Sequence, residues 1–239
     1  MKWTEHYKIN AHDVDFNNIV SATGIMRYMQ DTANCQMEGQ KPSYNELFDS
    51  GRVFVLSRMR MSIYGKLYSH DEVDVSSWAC ESSGVSFNRC FSVEKDGLKV
   101  AEAMSVWALL DRNTGRFVRV NDFENNYSTD AMVELDLPAR FRIPQGLQLS
   151  LVGERTVEYQ DVDMNRHINN TKYPDILCGY IPNMERNRVI KLELNYLAEA
   201  PLGETLKVYM AESDGSYYFR TVLPSGKTNV EAEIMLEEF

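Results

Sequence analysis

The sequence predicts an α+β protein made of two copies of one small fold, and three observations carry that expectation. Two stretches spell the same polar loop about 148 residues apart, His12-Asp13-Val14-Asp15-Phe16-Asn17-Asn18-Ile19 and Gln160-Asp161-Val162-Asp163-Met164-Asn165-Arg166-His167. Each loop is followed by a helical pattern and then by alternating β-branched and aromatic residues. Later landmarks recur in the same order. Glu81-Ser82-Ser83-Gly84 with Phe87 and Arg89 returns as Glu212-Ser213-Asp214-Gly215 with Tyr218 and Arg220, and Gly97 with Glu102-Ala103 returns as Gly226 with Glu231-Ala232. The offset falls to about 131 and then about 129, which puts roughly 15 extra residues in the first half after its helix. Several matches in one order mark a duplication.

The elements follow from local chemistry. After a short opening strand, Ser21 can cap a helix that places Ile25, Met29, Ala33 and Met37 on one stripe and stops at Gly39. Ser43-Tyr44-Asn45-Glu46 has capping-box spacing and starts a shorter helix ending at Gly51. From Val53 to about Val120 the pattern is that of strands, with turns at Ser83-Gly84 and Asp96-Gly97. Residues 1–120 thus form a first half, and 121–150, polar with Pro138 and Pro144, read as a linker. The second half, 151–239, repeats the plan. A strand runs through Thr156-Val157-Glu158-Tyr159, and a helix capped at Asn169 or Asn170 carries Pro174 in its first turn. Strands then run from Val189 to the end, with turns at Asp214-Gly215 and Pro224-Ser225-Gly226. Each half is a helix packed on an antiparallel sheet.

Composition narrows the function classes. The chain has 239 residues, 44% hydrophobic and 25% charged, the profile of an ordinary globular protein. No apolar run approaches the roughly 20 residues that span a bilayer, and the opening Met1-Lys2-Trp3-Thr4-Glu5-His6 has no apolar signal core, so a cytoplasmic location without membrane insertion is expected. Cys35, Cys80, Cys90 and Cys178 show no metal or disulfide spacing and read as reduced thiols. A net charge of −10 argues against nucleic-acid binding. An acidic protein partner needs a local basic patch, and the denser candidates are Arg58-Arg60, Arg112-Arg116-Arg119, Arg140-Arg142 and Arg186-Arg188-Lys191. Each is otherwise a solvated face.

The chemistry concentrates in one loop. Asp163, Asn165 and His167 lie within five residues of one another before a helix N-terminus, where free amides and the dipole suit a developing oxyanion. Histidine holds or moves a proton near neutral pH, and the neighbouring carboxylate and carboxamide can orient water or a carbonyl, so acyl transfer to water is the natural reaction. The sibling loop has Ile19 in place of His167. A calcium loop is rejected because Arg166 and Lys172 stand where an EF-hand needs Gly and Glu. One histidine with no second histidine or cysteine nearby makes a poor transition-metal site. No cofactor and no metal are expected.

Asp163-Met164-Asn165-Arg166-His167-Ile168-Asn169-Asn170-Thr171-Lys172-Tyr173 resembles the signature of acyl-acyl-carrier-protein thioesterases, and the resemblance extends over nearly the whole chain, including the tandem layout and the stretch from Trp107 to Arg116. It implies a double hotdog fold, in which each half is a long helix wrapped by an antiparallel sheet. The family's later acidic residue, found after an aromatic and two further residues, falls on Glu199 in Tyr196-Leu197-Ala198-Glu199. By resemblance Asp163 and Glu199 activate the hydrolytic water, while Asn165 and His167 orient it and stabilise charge on the thioester oxygen. Plant members carry a cysteine where this chain has Ala200, so a covalent cysteine route is not expected. The first half, with Ile19 and with Lys66 near the place matching Glu199, resembles the non-catalytic acyl-chain pocket. Met26, Met29, Met37, Met59 and Met61 suit an adaptable apolar wall or plain core packing.

The implied activity is hydrolysis of fatty acyl thioesters borne on the phosphopantetheine of acyl carrier protein, with a homodimer allowed. Alternatives are an acyl-CoA thioesterase, an enoyl-thioester hydratase or dehydratase, and a non-catalytic acyl-binding module. The hydratases usually place Pro and one more residue between their Asn and His, where this chain has Arg166 alone.

Overall fold

A computed structural model of the chain describes residues 2–239. They form two compact units, 2–20 with Ile25–Asp136, and Ser21–Gly24 with Leu137–Phe239. The first half runs β1 (Trp3–Lys8), α1 (Ala22–Glu38), α2 (Tyr44–Asp49), β2 (Arg52–Ile63), β3 (Glu72–Cys80), β4 (Phe87–Lys95), β5 (Leu98–Asp111), β6 (Arg116–Val118) and β7 (Thr129–Asp130). Its main strands lie in the order β1-β3-β4-β5-β2, all antiparallel, with β6 on β5 and β7 parallel to the end of β3. The second half runs β8 (Ser150–Thr156), α3 (Tyr173–Cys178), β9 (Asn187–Tyr196), β10 (Thr205–Ser213), β11 (Ser216–Val222) and β12 (Thr228–Glu238). Its order is β8-β10-β11-β12-β9, again antiparallel. Strand for strand, the two sheets share one topology, that of the hotdog.

Local chemistry explains the element ends. Ser21 Oγ accepts the Gly24 amide at 3.1 Å to start α1, whose Ile25, Met29, Ala33 and Met37 are all buried. The five methionines singled out above are buried as well. Ser43 and Glu46 complete a reciprocal capping box on α2. Asp96-Gly97 and Asp214-Gly215 both have positive φ at each residue, as a two-residue hairpin turn that follows the strand twist requires.

The structure differs from the expectation in three places. The second helix is short: Asn169 caps one 3-10 turn at Asn170–Lys172, and α3 ends at Gly179, with Pro182 just beyond barring any continuation. The segment 121–150 is not a slack linker. Phe123 packs with Met37, Leu47 and Leu109, and Trp78 Nε1 donates to the Ala131 carbonyl at 2.8 Å. Phe141 stacks on Tyr218. Polar composition hid these aromatic anchors. Finally, Phe91 lies opposite Ala103 and Phe219 opposite Ala232, so Arg220 corresponds to Ser92 and not to Arg89. The longer connection between β3 and β4 displaces the apparent match. Arg89 is buried on Gln36 and Ser77, whereas Arg220 pairs with Glu231 at 2.6 Å.

Candidate active site

The polar loop is a miniature hairpin. The Asp163 amide donates to the His167 carbonyl at 3.0 Å, the Arg166 amide donates to the Asp163 carbonyl at 2.9 Å, and Val162 bridges Ile168. Arg166 takes φ 66°, the left-handed residue that follows a tight turn in a three-residue hairpin loop. The sibling repeats these contacts. The Asp15 amide donates to Ile19, the Asn18 amide to Asp15, Val14 bridges Val20, and Asn18 has φ 61°. In both copies the central aspartate fixes the turn, because Asp163 Oδ1 accepts the Asn165 amide and Asp15 Oδ1 the Asn17 amide, each at 2.8 Å.

A second loop brings up the carboxylate. The Ile168 amide donates to Ala200 at 3.0 Å, and His167 bridges Pro201. In the sibling the Val20 amide donates to Leu67 at 2.9 Å, and Ile19 bridges Tyr68. Glu199 and Lys66 therefore hold matching places. His167 Nδ1 lies 3.4 Å from Glu199 Oε2, with 31% and 60% of the two side chains exposed. Such a pair is open to water and able to share a proton. Asn165, on the turn itself, is also exposed. The expected oxyanion site at a helix N-terminus is not built as foreseen. Asn169 Oδ1 already holds both the amide and the hydroxyl of Thr171, and α3 is too short to sum much of a dipole.

The first aspartate of each loop is structural. Asp161 is buried, takes Arg155 Nη2 at 2.7 and 2.8 Å, and accepts the Glu158 amide. Its sibling Asp13 holds Tyr28 and Arg27 instead. His167 is marked in the sequence itself, because the sibling loop is built with Ile19 in its place. A surface hollow of about 420 Å³ beside the Arg155–Asp161 pair, lined also by Lys172, Asp175 and Tyr180, includes none of Asp163, Asn165, His167 or Glu199. Among the described residues no three His, Cys, Asp or Glu side chains cluster as metal ligands, and no helix is long and apolar enough to cross a membrane.

Two halves of one strand order, the second with His167 and Glu199 where the first has Ile19 and Lys66, define a tandem hotdog protein. Residues 1–127 match the acyl-ACP thioesterase N-terminal domain and residues 147–238 the acyl-ACP thioesterase C-terminal domain. The chain belongs to the acyl-ACP thioesterase family. It is 22% identical to a chloroplastic palmitoyl-acyl carrier protein thioesterase of Arabidopsis thaliana, over 82% of this chain and 51% of that protein. It is 27% identical to oleoyl-acyl carrier protein thioesterase 2 of the same plant, over 82% of this chain and 59% of that protein. The chain thus spans little more than half the length of these curated relatives. The crystal structure of an acyl-ACP thioesterase from Bacteroides thetaiotaomicron has the same fold, with a TM-score of 0.87 at 21% identity over 99% of this chain and 98% of that one.

Proposed function

We propose that the protein hydrolyses fatty acyl thioesters carried on acyl carrier protein, releasing free fatty acid and carrier thiol. The observation that carries this reading is the His167–Glu199 pair, 3.4 Å apart in a half whose sibling has Ile19 and Lys66 at those places. Water adds to the thioester carbonyl, the tetrahedral oxyanion collapses with cleavage of the C–S bond, and the proton taken from water leaves on the thiol. Glu199 with His167 takes and returns that proton. Asp163 spends one oxygen on the Asn165 amide and serves mainly to set the turn that presents Asn165 and His167, whose N–H groups face the developing charge. The buried methionines of the first half supply adaptable walls for the acyl chain. The four free thiols suit a reducing compartment such as the cytoplasm.

The test is a panel of saturated and monounsaturated acyl chains on acyl carrier protein and on coenzyme A, with released thiol as the readout. Faster thiol release from the carrier protein supports the reading. Faster release from coenzyme A replaces it with an acyl-CoA thioesterase. Hydration of an enoyl thioester without thiol release, or binding without either, sinks it.

A further inference from the structure

Behind the two site loops lies a buried polar network centred on Asn229. Asn229, fully buried on β12, donates from Nδ2 to the Ala198 carbonyl at 2.5 Å, one residue before Glu199. Its own backbone carbonyl accepts the amides of Leu197 and Ala198 at 2.8 and 3.1 Å. Its Oδ1 accepts the Thr221 hydroxyl at 2.8 Å, and the Tyr173 hydroxyl lies 2.9 Å from Nδ2 and 3.1 Å from Oδ1. Tyr173 belongs to the helix that follows the histidine loop. Tyr196 stacks edge-on against Tyr173 and donates its hydroxyl to the Asn170 carbonyl at 2.9 Å. Burial pushes both tyrosine hydroxyls well above their ordinary range, so they remain protonated donors at any working pH.

The sibling half shows that the fold does not need this network. The Tyr64 and Gly65 amides donate to the Val100 carbonyl at 2.7 and 3.3 Å, the same backbone clamp with valine in the place of asparagine. Ile63 and Val93 both pair with Ala101, and Tyr196 and Thr221 both pair with Val230, so these positions correspond. The common loop register sets Ile25 against Tyr173. Where one half has Ile25, Ile63, Val93 and Val100, all buried and aliphatic, the other has Tyr173, Tyr196, Thr221 and Asn229. Exchanging a satisfied buried polar set for well-packed apolar residues is commonly neutral or stabilising, so stability alone does not account for its presence in one half.

We propose that Asn229 is a positioning residue: with Tyr173 and Thr221 it ties the Glu199 loop to the segment that follows the histidine loop, fixing the carboxylate against His167. This rests on the thioesterase reading above. Side-chain polar bonds in a dry core are directional, whereas aliphatic packing fixes neighbouring loops less uniquely. A displacement of about 1 Å at a proton-transfer pair costs on the order of a hundredfold in rate.

The experiment compares wild type with the triple variant Y173F/T221V/N229V, each with and without E199Q, in thiol release from an acyl carrier protein thioester. Wild-type turnover that H167A abolishes establishes the underlying reading, and no turnover in wild type overturns that reading separately. The triple variant should melt cooperatively at or near the wild-type temperature, with kcat lowered roughly tenfold to a hundredfold and KM within about twofold. E199Q should then cost far less in the triple variant than in wild type, because the carboxylate it removes is already out of place. Wild-type kcat in the folded triple variant, or an undiminished effect of E199Q, overturns the proposal. If the triple variant does not fold, N229D decides. It keeps the oxygen that accepts from Thr221 and replaces the donor facing Ala198, so wild-type kcat in N229D overturns the proposal and a loss of kcat at unchanged KM supports it.

Discussion

His167 and Glu199 face each other at 3.4 Å across two loops whose sibling copies carry Ile19 and Lys66. Both loops are held by the same backbone hydrogen bonds in either half, so the pair is an addition to a scaffold that stands without it. His167→Ala should therefore lower thiol release by at least about a hundredfold while leaving the thermal midpoint within a degree or two. Comparable activity in the variant removes the histidine from the mechanism.

Arg166 sits at φ 66°, where the sibling has Asn18 at φ 61°. A long side chain in the left-handed region costs about 1 kcal/mol more than asparagine, which tolerates it. Arg166→Asn is expected to raise stability by about that amount, seen as a rise of roughly 2–4 °C in the melting temperature. A fall on melting would mean that the arginine side chain makes a stabilising contact.

Asp161 is buried, and Arg155 spans both of its oxygens. Asp161→Asn leaves the guanidinium facing a neutral group and disturbs the bond to the Glu158 amide, at a cost of about 2 kcal/mol. Denaturant unfolding measures it. Because Asp161 anchors the loop and touches none of the four site residues, stability should fall before kcat does; the reverse order would place it in the chemistry.

Burial, reinforced by the Asp175 carboxylate, pushes the Cys178 thiol up to about 12. Burial also carries Tyr127 up to about 12, opposed by Arg89 and aided by Glu46. Both groups ionise later in the folded chain than in the unfolded one. Their contribution is complete below the unfolded values, about 8.5 for the thiol and about 10 for the phenol, and is lost as pH rises toward 12. The urea midpoint should hold level from pH 7 to about 8.5 and then decline. A midpoint that stays constant to pH 11 contradicts this account, and Cys178→Ala should soften the first part of the decline.

The sequence by itself determined the duplication, the strand-rich halves, the capped first helix and the turns. Each of these rests on short-range rules: the stripe from Ile25 to Met37, the capping box at Ser43, the paired Asp-Gly turns. It also singled out His167, because a residue present in one copy of a repeat and absent from the other stands apart from what both copies need to fold; Asp163 and Asn165 recur as Asp15 and Asn17 and were marked by their place beside it. Tertiary structure alone decided how far Glu199 lies from His167, since that spacing depends on the backbone bonds from Ile168 to Ala200 and from Leu202 to Arg166 that join the two loops. It decided too that Asp161 is buried and that Asn229, Thr221 and Tyr173 meet. Hydrogen bonds between residues as many as 56 positions apart leave no periodic trace in a linear chain. Only the folded sheet brings their donors and acceptors within reach.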